Sequence, residues 1–167
     1  MMIIRPVKVT DAEALSMLLS QLNGETPFMA MGEKNSAAEL CAHLALFIEA
    51  STQVLYVAEQ VLNNESSLIG FTIGIAGYVG HDMDAISLVI GVQQASIGVG
   101  LGRELLAHVE TWARLLNYKQ LELTVMITNK NAIVFYKNNG FKQIIAKPKG
   151  MIDGMTKNEL YMVKVIN

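Results

Sequence analysis

The most constraining feature is an apolar strand-like run, Ala85 to Val92, that leads to Gly98-Val99-Gly100-Leu101-Gly102 and at once into an amphipathic helix. Leu101, Leu105, Leu106, Val109, Trp112, Ala113 and Leu116 mark one face of that helix. A helix start exposes unpaired backbone N–H groups and the positive end of the helix dipole. Glycines there let the backbone approach an anion closely and adopt dihedrals that other residues avoid. Strand, glycine turn and helix together form a cradle for a phosphate or pyrophosphate. Taken alone, the same turn could be a tight corner with no ligand. Three alternating glycines favour the cradle.

Two familiar phosphate loops do not fit. A triphosphate loop needs Gly-Lys-Ser/Thr before its helix, whereas this turn continues Gly102-Arg103-Glu104. The dinucleotide fingerprint G-x-G-x-x-G fails as well, because its last position falls on Arg103 or on Leu105.

The rest of the chain alternates in type. Ile3 to Val7 reads as a strand, and Thr10 or Asp11 as the cap of a helix carrying Leu15, Leu18, Leu19 and Leu22. Gly24 to Lys34 reads as a loop and Ser36 to Ala50 as a second helix, with Leu40, Leu44 and Phe47 on one face. Val54 to Ala58, Leu68 to Ala76 and Ala85 to Val92 are strands separated by Asn63-Asn64 and by Gly77 to Asp84, which predicts an antiparallel meander. After the long helix, Leu121 to Ile127 is a strand expected to run parallel to the one ending at Val92. Lys130 to Asn138 is a short helix stopped by Asn139-Gly140, and Phe141 to Ile145 with Leu160 to Val165 closes the sheet. The expected order is β-α-α-β-β-β-α-β-α-β-β, an α/β (α+β) fold with a six- to seven-stranded mixed sheet and helices on both faces. No repeat, linker or low-complexity tract divides residues 1–167, so one domain is expected.

About thirty positions after the glycine turn comes Asn129-Lys130-Asn131-Ala132-Ile133-Val134-Phe135-Tyr136-Lys137-Asn138-Asn139-Gly140-Phe141. The two segments in register resemble the GNAT superfamily of N-acetyltransferases, which pairs R/Q-x-x-G-x-G/A with a later N-x-x-A-x-x-x-Y-x-x-x-G-F-like stretch. Ile97 to Gly102 stands for the first, and Ala132, Tyr136, Gly140 and Phe141 match the second, with Asn131 read as its asparagine. The element order is also the family's. The resemblance implies acetyl-CoA as co-substrate, its pantetheine arm paired with the backbone of Ile90 and Val92. It implies that the amides of Ile97, Gly98, Val99, Gly100, Leu101, Gly102 and Arg103 hold the pyrophosphate, that Asn131 contacts the cofactor, and that Tyr136 is the general acid. A phenol with an ordinary pKa of about 10 can donate as a thiolate of about 8.5 forms. For Tyr136 the plainer reading is a core aromatic.

Two departures from the family pattern stand out. Ile97 occupies a position where the family carries Arg or Gln, and Arg103 could supply the missing charge. The glutamate that many members carry on the strand before the turn falls at Ile86, and Ala85 to Val92 has no ionisable residue. Asp84, His81 and Asp82 are the nearest substitutes. Glu25 and Glu33 flank a loop placed where the family builds its acceptor wall, and two carboxylates there would suit a cationic amine.

Thirteen basic against fifteen acidic side chains give a net charge of -2, which argues against a nucleic-acid-binding module. Cys41 is the only cysteine, so no internal disulfide or cysteine-based zinc site can form, and no metal is expected. No apolar run approaches the roughly 20 residues that span a bilayer, and Met1 to Pro6 lacks a signal-peptide core. The expectation is a cytoplasmic enzyme, without membrane or nucleic-acid partner, that acetylates the primary amine of a small molecule. Acetylation of a protein N-terminus, or acyl-CoA binding without turnover, are the alternatives. The sequence leaves the acceptor, the acyl-chain preference and the oligomeric state open, a homodimer among the states allowed.

Overall fold

The structure, a computed structural model, describes residues 1–27, 37–77, 84–144 and 158–167. Its elements are β1 (Met2–Pro6), α1 (Ala12–Glu25), α2 (Ala37–Glu49), β2 (Gln53–Leu62), β3 (Glu65–Ala76), β4 (Ala85–Val92), α3 (Leu101–Leu115), β5 (Gln120–Met126), α4 (Lys130–Asn138), β6 (Lys142–Gln143) and β7 (Glu159–Val165). The expected order of elements is the observed one. The strands form one seven-stranded mixed sheet in the order β1-β2-β3-β4-β5-β7-β6. β1 runs antiparallel to β2, β5 parallel to β4, and β7 antiparallel to both β5 and β6.

Local chemistry explains most boundaries. β2 and β3 are joined by Asn63 and Asn64, both left-handed at φ 51° and 64°. Two such residues make the turn whose twist matches an antiparallel pair, and asparagine is among the few non-glycine residues that tolerate it. α1 runs through Gly24 to Glu25, two residues past the expected stop. β6 has two residues where five were expected. Leu116, placed on the buried face of α3 by its spacing, lies beyond the helix end and is 47% exposed.

Contacts divide the described residues into two compact units, 1–73 with 90–109 and 74–89 with 110–167. The first has two apolar layers. Leu15, Leu18 and Leu22 of α1 and Leu44 of α2 pack with Leu55, Val57, Leu68 and Phe71. Leu101 and Leu105 of α3 pack with Ala58 and Ile69, joined by Ile4, Ile90 and Val92. Val57 and Ala58 are consecutive in β2, so the two layers lie on opposite faces of the sheet. Each buried leucine of these layers contributes roughly 1.5–3 kcal/mol. Gly70 sets how close α3 comes, because a Cβ there would stand 3.1 Å from Gly91 O and 3.3 Å from Leu105 Cδ1.

In the second unit β5 pairs with β7 along its whole length, Gln120 opposite Val165 through Met126 opposite Glu159. Glu110 joins two elements, accepting from Lys164 Nζ of β7 and from Arg114 one helical turn on, both at 2.7 Å. Arg114 also donates from Nε to Ile166 O at 2.7 Å. α4 ends as its sequence dictates, at Gly140 with φ 93°.

Candidate acyl-transfer site

The glycine turn has the conformation its composition anticipates. Gly98 and Gly100 both sit at φ 87°, in the region that side chains with a Cβ rarely enter. Among the described residues, and apart from the chain neighbours, no atom lies within 4 Å of where a Cβ would stand on either residue. Between β4 and the turn the chain makes a short 3-10 turn, Gln94–Ser96, that the sequence pattern did not reveal. Gln93 Nε2 donates to Ser96 Oγ at 2.9 Å. Among the described residues no amide from Gly98 to Arg103 donates a backbone hydrogen bond; the first to do so is Glu104, to Gly100 O at 3.1 Å. These donors stand at the N-terminus of a fifteen-residue helix, where the dipole favours an anion. Ile97 and Val99 are exposed, at 65% and 71%, and Arg103 projects from the first turn of α3 with no salt bridge among the described residues.

Ile90 and Val92 turn their side chains into the layer formed by Leu101 and Leu105. Gln93 N donates to Ile69 O of β3 at 3.0 Å. Main-chain groups alternate along a strand, so those of Val92 and Ile90 point toward the opposite edge of β4. On that edge the parallel register with β5 covers Ala85 to Ser87, opposite Gln120 to Glu122.

Asn131 and Tyr136 belong to the second unit. The cap of α4 is Asn129, whose Oδ1 accepts from Ala132 N at 3.3 Å, while Asn131 is an exposed residue of the first turn. Tyr136 is buried beside Phe135 and Phe141, ring centroids 5.2 and 5.3 Å away and edge to face. Burial pushes its phenol up to about 12, because the charged phenolate is the form that loses solvation. Its hydroxyl has no hydrogen-bond partner among the described residues.

The carboxylates expected near the acceptor are placed differently. Glu25 is the last residue of α1; its side chain accepts from Gln94 N at 2.7 Å and from Gln21 Nε2 at 2.8 Å, and so braces the approach to the glycine turn. Asp84 faces solvent in a 3.1 Å pair with Lys119. Glu33, His81 and Asp82 lie outside the described residues. A polar group that the reading of the sequence passed over is Glu122 of β5, which is fully buried. Tyr161 donates to its Oε2 at 2.5 Å and Ser87 to its Oε1 at 3.2 Å. The signal was available: a carboxylate between Leu121 and Leu123 in a strand expected to be buried on both faces.

Among the described residues no group of three or more His, Cys, Asp and Glu could hold a metal ion, and no helix is long and apolar enough to cross a membrane.

Comparison with known proteins agrees with this fold. Residues 25–141, more than half of the chain, match the acetyltransferase (GNAT) family. No curated protein sequence matches. Among solved structures, a GNAT-family acetyltransferase from Streptococcus pneumoniae superposes with a TM-score of 0.82 over 100% of both chains, at 23% identity. The Salmonella typhimurium acetyltransferase yncA, solved with its cofactor acetyl-CoA, gives 0.77 over 99% of this chain and 94% of that one, at 17% identity. A spermidine N-acetyltransferase from Vibrio cholerae, in complex with CoA and spermine, gives 0.76 over 99% and 95%, at 19% identity.

Proposed function

The chain belongs to the acetyltransferase (GNAT) family, and on that premise we propose that it is an acetyl-CoA-dependent N-acetyltransferase acting on the primary amine of a small molecule, with residues 1–167 as one catalytic domain. The observation that carries the reading is the glycine turn, with left-handed Gly98 and Gly100 and undirected amides at the head of α3. The amides from Gly98 to Arg103 bind the pyrophosphate, whereas that of Ile97, expected to join them, already donates to Gln94 O at 3.2 Å, and the Arg103 guanidinium adds the charge that Ile97 lacks. The pantetheine arm pairs with the main chain of Ile90 and Val92, whose side chains are already committed to the core. Asn131, exposed at the head of α4, contacts the cofactor from its own unit.

Tyr136 is the general acid. A phenol pushed up to about 12 stays protonated throughout the working pH range. It gives up its proton only as the C–S bond breaks and negative charge gathers on sulfur. Burial raises a thiol as it raises a phenol, so a thiolate formed in the same dry surroundings is a stronger base than its value of about 8.5 in water suggests. The small-amine reading draws support from the Vibrio cholerae relative in fold, which is a spermidine N-acetyltransferase.

The deciding experiment measures CoA affinity by calorimetry and free-thiol release from acetyl-CoA across a panel of amines and N-terminal peptides. Release with small amines is expected. Release with peptides alone would move the acceptor to protein N-termini, and CoA binding without release would make the chain a binding module.

A further inference from the structure

We propose that Glu25 is a positioning residue for the donor. With Gln21 it holds the connection between β4 and the glycine turn in the conformation that receives the pyrophosphate of CoA. This role presupposes the acetyl-transfer reading above, and it assigns to the donor a carboxylate expected beside the acceptor.

Every residue involved lies in the first compact unit. The connection runs from Gln93 to Ile97, and its 3-10 turn closes on itself through Ser96 N to Gln93 O at 2.9 Å and Ile97 N to Gln94 O at 3.2 Å. The amide that opens the turn, Gln94 N, donates to Glu25 Oε2 at 2.7 Å. Glu25 Oε1 accepts from Gln21 Nε2 at 2.8 Å, and the same Nε2 donates to Gln93 Oε1 at 3.3 Å. Gln93 uses the other end of its side-chain amide on Ser96 Oγ at 2.9 Å, and its backbone N–H on Ile69 O of β3 at 3.0 Å. Gln93 and Gln94 are thus tied to the sheet on one side and to the last turn of α1 on the other. Gly98 follows four residues after Gln94.

The helix itself gives no reason for a carboxylate at this place. Glu25 ends α1, whose last turn carries no basic side chain. The negative end of the helix dipole disfavours an acid there, and alanine is the better helix former. The residue is exposed, so burial does not hold it. Its poor position in α1 is offset by what it grips, a backbone amide whose direction sets the path to Gly98. An anion gains most from amides that already stand in place, because every other conformation of the connection lowers the share of molecules able to bind. Both oxygens of Glu25 are engaged on this side, so the residue should govern affinity for CoA rather than for the amine.

The test compares Glu25→Ala and Gln94→Pro, singly and together, by calorimetric titration with CoA and by urea melts. The first removes the acceptor and the second the donor. Proline suits the opening position of the turn, and Gln93 already has the ψ of 146° that a residue before proline prefers. Each single variant should weaken CoA roughly three- to tenfold. The double variant should bind no more weakly than Gln94→Pro alone, because both changes remove one interaction. Glu25→Gln keeps an acceptor oxygen at the same reach and should recover affinity to within about twofold of wild type. The urea midpoint of Glu25→Ala should not fall, whereas loss of a purely structural brace would lower it. In steady state KM for acetyl-CoA should rise while KM for the amine stays within about twofold. Unchanged CoA affinity in Glu25→Ala, losses that add in the double variant, or a KM rise confined to the amine would overturn the proposal. Should Gln94→Pro fail to fold, Glu25→Ala and Glu25→Gln decide between them. A wild-type protein that binds no CoA would instead sink the acetyl-transfer reading, and the proposal with it.

Discussion

The guanidinium of Arg5 grips both carboxylate oxygens of Asp11, at 2.8 Å each, and so fastens β1 to the start of α1. Asp11 also accepts from Lys8 N at 2.7 Å, and Arg5 Nε donates to Glu59 on β2 at 2.8 Å. The residue read from sequence as a helix cap is therefore a corner brace; it makes no side-chain capping bond to α1. Arg5→Ala would leave a buried carboxylate short of its main partner, at a cost of about 1–3 kcal/mol. The Arg5 guanidinium holds the Asp11 carboxyl below its ordinary value. A depressed carboxyl contributes stability that is complete above about pH 4 and is lost as pH falls through the lower folded value. Urea melts should therefore show wild type and Arg5→Ala farther apart at pH 7 than at pH 3. A gap that does not narrow in acid would count against the pairing.

At the glycine turn two substitutions separate folding from binding. Gly98→Ala forces a Cβ into a left-handed backbone and should cost about 1–2 kcal/mol of stability. Gly100→Val adds bulk where the pyrophosphate would lie, and CoA binding should fall below detection in calorimetry while the far-ultraviolet circular dichroism stays folded. Normal CoA affinity in Gly100→Val would rule out the cradle.

Ile97 invites a gain of function. It is 65% exposed, so an arginine there needs no repacking. If the turn binds pyrophosphate, Ile97→Arg should tighten CoA by about 1 kcal/mol, roughly fivefold, and the gain should shrink in high salt. An unchanged dissociation constant at low salt would place the phosphates elsewhere.

Tyr136→Phe should lower kcat by about 10²-fold and leave the CoA dissociation constant within twofold or so. Because burial raises the phenol to about 12, activity should show no loss assignable to Tyr136 ionisation up to about pH 11. An unaffected kcat in the phenylalanine variant would remove Tyr136 from the chemistry.

Much of the fold was legible because each element announces itself locally. Leu15, Leu18 and Leu22 repeat at helical spacing and are all buried, and Lys130–Asn138 begins and ends where its cap and glycine require. The lengths of β2 and β6 were harder to read. Edges of strands are decided by pairing, and pairing partners such as Met2 opposite Gln60 lie far apart in sequence. For the site the pattern is similar. Gly98 and Gly100 are read from residue type alone, since left-handed backbone nearly demands glycine. The Glu122 cluster draws on three strands, through Ser87, Glu122 and Tyr161, and nothing in the linear order brings a serine, a glutamate and a tyrosine so separated into view. Asn129 rather than Asn131 caps α4, two residues earlier, and the N-x-x-A spacing counted back from Ala132 falls on it.

The empty surroundings of Gly98 and Gly100 have a consequence for mirror-image residues. Among the described residues, apart from the chain neighbours, a Cβ on either meets no atom within 4 Å, so the objection to alanine is its handedness and not its size. D-alanine, for which positive φ is the relaxed state, should fit both positions and stiffen the turn. The same methyl group would still crowd an anion drawn up to the amides. Chirality governs this turn while it is empty, and volume governs it only once it is occupied.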